Sequence, residues 1–279
     1  MTVSIVVHNS PLPQIEKALR SLLRSEAVRR IYILDNGSVP PVQSVISNKK
    51  IIYRRIPNDG FGAGHNIAMR EVIRENPDGF HLVMNADVSW EGDALTPLLY
   101  YMKRHPDVGL LQPRMVYADG TLQFACRMLP TPADLFAKRF LPPFLRKRRM
   151  HRYLLAGHDH RKPLNVPYMQ GSFMLIRNRA LLECGLFDER FFMYPEDIDL
   201  TRRIHEKWQT LFLPEVEICH LHNAESRRSP ELFGIHLVNM IRYFNKWGWF
   251  YDRRRKEINQ RVARSIVPPP PGQQESGRG

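Results

Sequence analysis

Val3-Ser4-Ile5-Val6-Val7, running straight into His8-Asn9, is a short apolar run that stops at polar side chains. Apolar and β-branched residues with almost no polar alternation suit a strand covered on both faces, as in a parallel sheet. Downstream, Leu12, Ile15, Leu19 and Leu22 recur at helical spacing. Ile31 to Leu34 reads as a second strand closed by Asp35-Asn36-Gly37-Ser38, and Ile51 to Tyr53 as a third. A helix over Ala63 to Arg74 follows, then a strand from His81 to Met84 ending at Asn85-Ala86-Asp87. Asp93 starts a helix towards Arg104. Strands alternating with helices predict βαβ units, an α/β fold built on a mainly parallel sheet.

After Val108 the pattern changes. Val108 to Gln112 reads as a strand and Asp119-Gly120 as a hairpin turn. Residues 128–167, rich in Pro, Arg and His, show little periodicity and read as an insert or mobile loop. Tyr168 to Arg177 is expected as one strand carrying Gly171, Glu196 to Lys207 as a helix, and Thr210–Leu213 and Val216–Leu221 as two strands. Pro230 to Trp247 is an amphipathic helix. The expected division is 1–229 as the main domain, 230–264 as a basic helical segment, and 265–279 as a disordered Pro/Gly tail.

With 279 residues and 43% hydrophobic content, the chain can bury a large core, which excludes a disordered protein. Three separated cysteines exclude a disulfide scaffold and a four-cysteine zinc module. No apolar run reaches the roughly 20 residues needed to span a bilayer, and the N-terminus lacks the marks of an export signal, so a cytosolic protein is expected. The net charge of +13 implies an anionic partner. Nine Lys/Arg face one acid between Lys138 and Lys162, and eight face two between Arg242 and Arg264. Nucleic acid is disfavoured as that partner, because no zinc-finger, RNP or helix-turn-helix pattern occurs and the cations avoid the sheet edge.

Ligands of open α/β sheets sit at the carboxyl ends of the strands. His8-Asn9, Asp35 to Ser38 and Asn85-Ala86-Asp87 all fall there, although each is also ordinary turn chemistry. Asn58-Asp59-Gly60-Phe61-Gly62-Ala63-Gly64-His65-Asn66 matches neither a dinucleotide fingerprint nor a Walker A loop; it suits a close backbone approach to phosphate or sugar at a helix start. Glu196, Asp197 and Asp199 can serve a helix dipole, or one can accept a proton in a cleft. His220 and His222 alternate on a strand end and share a face, where one could join Asp87 in an oxygen/nitrogen metal site.

Taken in order, these clusters, with Gly171-Ser172-Phe173-Met174-Leu175-Ile176-Arg177 and the stretch from Gly185 to Leu200, resemble the family 2 glycosyltransferases and in particular their bacterial rhamnosyltransferase branch. The resemblance implies the GT-A, Rossmann-like fold, a mixed and mainly parallel sheet flanked by helices. It implies inverting transfer of a sugar from a nucleotide diphosphate donor, dTDP-L-rhamnose above all, with UDP-galactofuranose, UDP-glucose or UDP-N-acetylglucosamine as alternatives. Donor contacts would come from His8, Asn9, Asp35, Gly37, Phe61, Gly62, Asn66, Asn85 and Asp87. Asp87 and either His220 or His222 would hold Mg²⁺ or Mn²⁺, and Asn85 stands where the family's motif begins with Asp. Asp197 would be the general base, with Glu196 beside it and Asp188 and Glu196 shaping the acceptor side. The missing Gln-x-x-Arg-Trp motif points to single addition. The expected acceptor is a polyprenyl-diphosphate-linked glycan at the inner face of the cell membrane, with the aromatics and cations of Phe244 to Lys256 against an anionic leaflet. A nucleotidyltransferase is the enzymatic rival, but His8-Asn9-Ser10-Pro11 lacks its basic glycine-rich loop.

Overall fold

A computed structural model describes residues 1–42, 48–134, 142–221, 230–270 and 277–278. Strand β1 (Thr2–Val7) leads through α1 (Leu12–Leu23) to β2 (Arg30–Asp35) and β3 (Ile51–Arg55). Helix α2 (Phe61–Glu75), β4 (Phe80–Met84), the short β5 (Val88–Ser89) and α3 (Leu95–Arg104) complete the first half. The strands β4, β1, β2 and β3 lie side by side and run parallel. Because β2 and β4 flank β1 on opposite sides, the crossovers diverge there, and the carboxyl ends of β1 and β4 face a crevice.

Burial explains the strand composition. Val3, Ile5, Ile31, Ile33, Leu82 and Met84 are fully buried in one cluster with Ile15 and Leu22 of α1. On the other face, Tyr32 and Leu34 pack against Ala68 and Val72 of α2. Asp93 serves the start of α3 by accepting the Thr96 N–H at 3.1 Å.

In the second half, β6 (Val108–Val116), β7 (Leu122–Gln123) and β8 (Cys126–Arg127) precede α4 (Pro143–Tyr153). Then come β9 (Leu164–Asn165), β10 (Tyr168–Met169), β11 (Phe173–Arg177), α5 (Asn178–Cys184), α6 (Glu196–His205) and β12 (Gln209–His220). The antiparallel strand β11 joins β4 to β6, and β12 runs parallel to β6, so the sheet is mixed. The Asp119-Gly120 turn is present, with Gly120 at φ +77° between β6 and β7.

Three expectations change. Residues 128–167 hold α4 and β9 and place Leu129, Leu155 and Val166 in the core, so this stretch is no simple loop. Tyr168 to Arg177 divides into β10 and β11, because Gly171 turns to meet Asp197. The two strands expected over 210–221 are one, with a register shift between Leu213 and Glu217.

Helices α7 (Pro230–Trp247) and α8 (Arg253–Ser265) share a core with the sheet domain. Met240, Tyr243, Phe244 and Ile258 pack with Leu129, Tyr168, Phe191 and Ile198. Arg202 of α6 donates to both Asp252 oxygens at 2.7 and 3.0 Å, a pair buried to 2% and 4% exposure. The expected disorder of 265–279 does not hold throughout: the Val267 carbonyl accepts the Asp159 N–H at 2.6 Å, and Gly277–Arg278 form a strand β13 beside β7.

Candidate active site

The loops after β1 and β2 are tied into one ridge. His8 donates from Nδ1 to the Asn36 carbonyl at 2.7 Å. Asn9 donates its N–H to Ser38 Oγ at 3.0 Å and accepts the Val39 N–H at 2.9 Å. His8 and Asn9 are both exposed. Gly37 adopts φ +73° with open space where a side chain would be. Asp35 departs from expectation. It is fully buried, and its carboxylate accepts the Ser38 N–H at 2.7 Å, the Tyr53 hydroxyl at 2.7 Å and the Val42 N–H at 3.3 Å. Burial pushes this carboxyl up, but the hydrogen bonds from Ser38 and Tyr53 more than offset it and hold it below its ordinary value. Asp35 therefore shapes the ridge through its hydrogen bonds.

The glycine-rich start of α2 is also reassigned. A Cβ on Gly60, which sits at φ +107°, would lie 2.2 Å from the Phe192 carbonyl oxygen, and one on Gly62 would lie 2.8 Å from Phe187 Cβ. That Phe192 carbonyl already accepts the Phe61 N–H at 2.9 Å. Asn66 is buried, donating to the Phe187 carbonyl at 2.9 Å and to Glu189 at 2.7 Å while accepting the Phe187 N–H at 3.1 Å. Gly62 and Asn66 thus hold the 187–192 loop against α2. Phe61 packs edge-on against His65 and Phe187 and lies beside Gly171, on the Asp197 side.

Asp197 is linked to the turn that carries Asp87 through two adjacent residues. The Gly171 N–H donates to Asp197 Oδ2 at 3.0 Å, and the next residue, Ser172, accepts the Asn85 N–H at 3.0 Å. One hydrogen bond to the Asp197 side chain and one between backbones, on adjacent residues, thus join the base candidate to the Asn85-Ala86-Asp87 turn. Strand β12 delivers His220 opposite Val88, with its Nε2 3.3 Å from Asp87 Oδ1. Gln123 Oε1 lies 2.9 Å from His220 Nδ1 and orients the ring with Nε2 towards Asp87. Adjacent ligands of an octahedral Mg²⁺ lie about 3 Å apart at ordinary bond lengths, so this donor pair fits a divalent cation that takes its other ligands from phosphate and water. Among the described residues no cluster of three or more His, Cys, Asp or Glu forms a complete cage. His222 lies outside the described residues.

Glu196 and Asp197 open α6, and burial pushes both carboxyls up. Asp197 is steadied by the N–H groups of Gly171 and Ile198 (2.8 Å) and by the charge of Arg127. Glu196 is 5% exposed, its Oε2 has no hydrogen-bond partner, and the charge of Asp197 raises it further. The proton therefore stays on Glu196 and the negative charge on Asp197. Glu196 packs against Gly62, with its Cγ 3.6 Å from where a side chain there would begin. Asp188, expected on the acceptor side, is engaged by two cations. Arg190 chelates it at 2.8 and 2.6 Å, Lys246 binds it at 2.8 Å, and Arg190 first among these holds its carboxyl well below the usual range.

Sequence reasoning missed Arg127. It lies 5.6 Å over the Tyr168 ring, because β8 pairs with β10 across a long loop, and no local pattern announces that pairing. Its charge acts on both Asp197 and Tyr153.

A mixed, mainly parallel sheet flanked by helices, with β2 and β4 on either side of β1, is the architecture of the GT-A glycosyltransferases. The glycosyl transferase family 2 model matches residues 2–185, and the chain belongs to that family. It is 28% identical over 235 residues to N-acetylglucosaminyl-diphospho-decaprenol L-rhamnosyltransferase of Mycobacterium tuberculosis H37Rv, covering 80% of this chain and 76% of that protein. It is 25% identical over 251 residues to rhamnosyltransferase WbbL of Escherichia coli K12, covering 87% and 92%. The crystal structure of GalNAc-T7 with UDP, GalNAc and Mn²⁺ superposes with a TM-score of 0.55 at 15% identity, over 78% of this chain and 43% of that one.

Proposed function

We propose that the protein transfers L-rhamnose from dTDP-L-rhamnose to a polyprenyl-diphosphate-linked glycan, with inversion at the anomeric carbon. The observation that carries this reading is the Asp197–Gly171, Ser172–Asn85 linkage, which sets a raised carboxylate beside the Asp87–His220 pair. The names of the two relatives support the sugar and the lipid-linked acceptor. Asp197 takes the proton of the acceptor hydroxyl as its oxygen bonds to the anomeric carbon and the bond to the diphosphate breaks. Asp87 and His220 would hold Mg²⁺ or Mn²⁺, which when bound neutralises charge on the departing diphosphate. The His8-Asn9 and Gly37 ridge orients the nucleoside.

Peripheral attachment to an anionic membrane belongs to the same reading. No helix among the described residues is long and apolar enough to cross a membrane. Helix α7 exposes Phe233, Leu237, Val238 and Ile241 along one stripe, and Phe250 and Tyr251 are 92% and 87% exposed beside the cations of α8.

Turnover with a panel of dTDP- and UDP-sugars in Mn²⁺ tests the proposal. Transfer from dTDP-L-rhamnose is expected to exceed that from the UDP-sugars, and Asp197→Asn is expected to lower it by about 10²- to 10⁴-fold with donor binding retained. Full turnover in that variant, or no transfer from any donor, would refute it.

A further inference from the structure

A groove of about 1180 Å³ lies between α4 and α8, outside the crevice that holds Asp87. Each wall supplies cations at helical spacing: Arg148 and Arg152 from α4, four apart, and Arg253 and Lys256 from α8, three apart. Some of the groove's charge is already engaged. Arg149 pairs with Asp134 at 2.6 Å, Arg253 with Glu257 at 2.8 Å, and the buried Arg255 donates to the Gly248 and Trp249 carbonyls. Arg148, Arg152 and Lys256 are exposed and have no carboxylate partner among the described residues. The groove also exposes apolar surface, with Leu145 at 43%, Phe250 at 92% and Tyr251 at 87%. Cations from two facing walls beside unpartnered apolar side chains suit an anion joined to a hydrocarbon chain.

The inner end of the groove runs towards the start of α6, because its lining residue Leu129 packs in one cluster with Tyr168 and with Ile198, the residue after Asp197. Met128, Leu129 and Tyr153 line it, and the Tyr153 side chain hydrogen-bonds with Arg127, whose charge acts on Asp197.

We infer that this groove binds the diphosphate of a prenyl-linked acceptor, with Arg148, Arg152 and Lys256 on the phosphates and the hydrocarbon leaving over Leu145, Phe250 and Tyr251. This rests on the lipid-linked acceptor of the proposed function and adds the place where that acceptor is gripped. A compact divalent anion between two cationic walls would hold the adjoining sugar at a fixed reach from Asp197.

The full chain in a non-ionic detergent, titrated calorimetrically with farnesyl diphosphate, farnesol and inorganic diphosphate, provides the test. Farnesyl diphosphate is expected to bind more tightly than either fragment, and Arg148→Glu/Arg152→Glu/Lys256→Glu to weaken it by about ten-fold or more. Arg148→Lys/Arg152→Lys is expected to stay within about three-fold, because a point charge suffices for phosphate. If the triple variant does not fold, Arg152→Glu alone, an exposed change, reads the same loss. Equal affinity in wild type and charge-reversed protein would overturn the site. So would unchanged farnesyl diphosphate binding with lost sedimentation on phosphatidylglycerol vesicles, which would assign the groove to the leaflet surface. Hydrolysis of the nucleotide sugar without acceptor reads the transferase proposal separately: hydrolysis with no groove effect rejects the groove alone, and no hydrolysis with intact farnesyl diphosphate binding rejects the transferase reading alone.

Discussion

The carboxylate after β2 and those opening α6 are buried in opposite ways. Asp35 lies among three donors and is held below its ordinary value. Glu196 keeps an unpartnered oxygen, and Glu196 and Asp197 are both pushed up, by burial foremost. A carboxylate whose lone pairs are all engaged builds a turn, while one kept short of partners beside a second carboxylate is ready to exchange a proton. The pair of regions separates scaffold from chemistry more cleanly than residue type does.

The sharpest way to probe the satisfied side is to break its deepest ion pair. Asp252→Ala leaves the Arg202 guanidinium buried and uncompensated, with an expected loss of about 3–5 kcal/mol in denaturant unfolding. Asp35→Asn removes an acceptor from the Ser38, Val42 and Tyr53 donors, and about 1–3 kcal/mol is expected from the same measurement. Glu196→Gln should cost least, within about 0.5 kcal/mol near neutral pH, because the native side chain already carries a proton. Its pH dependence sharpens the contrast. A carboxyl raised in the folded state contributes its stability below the unfolded value of 4.5, and that contribution is lost as pH rises through the folded value. Thermal melting should therefore show wild type losing stability towards alkaline pH and Glu196→Gln losing less of it. A large destabilisation by Glu196→Gln at neutral pH would erase the distinction between the two regions.

Much of the first half was legible because its signals are local. Val3 to Val7 carries its burial in its composition, and Leu12, Ile15, Leu19 and Leu22 carry the helix in their spacing. The positions of Asp87, Asp197 and His220 could be anticipated from strand ends and from family resemblance. Side-chain direction could not. Asp35 turns inward because Tyr53 from the neighbouring strand reaches it, and Asn66 is taken by the 187–189 loop more than a hundred residues away. The glycines at 60 and 62 read as a ligand cradle in sequence, yet the chain fills that space with Phe187 and Phe192. Arg127 and the groove between α4 and α8 depend on pairings across 128–167, where Pro, Arg and His give no periodic signal.

The division of labour between the buried carboxylates and the Asp87 edge stands or falls on the pH profile of single-turnover transfer at saturating donor. Since Asp197 must be ionised to take the hydroxyl proton and burial raises it above 3.8, the rate should fall on acidification at a midpoint above that value. Glu196→Gln, which replaces a side chain that carries no charge there, should leave the midpoint in place. An acid limb at the ordinary aspartate value, or one that persists unchanged in Asp197→Asn, would contradict the account.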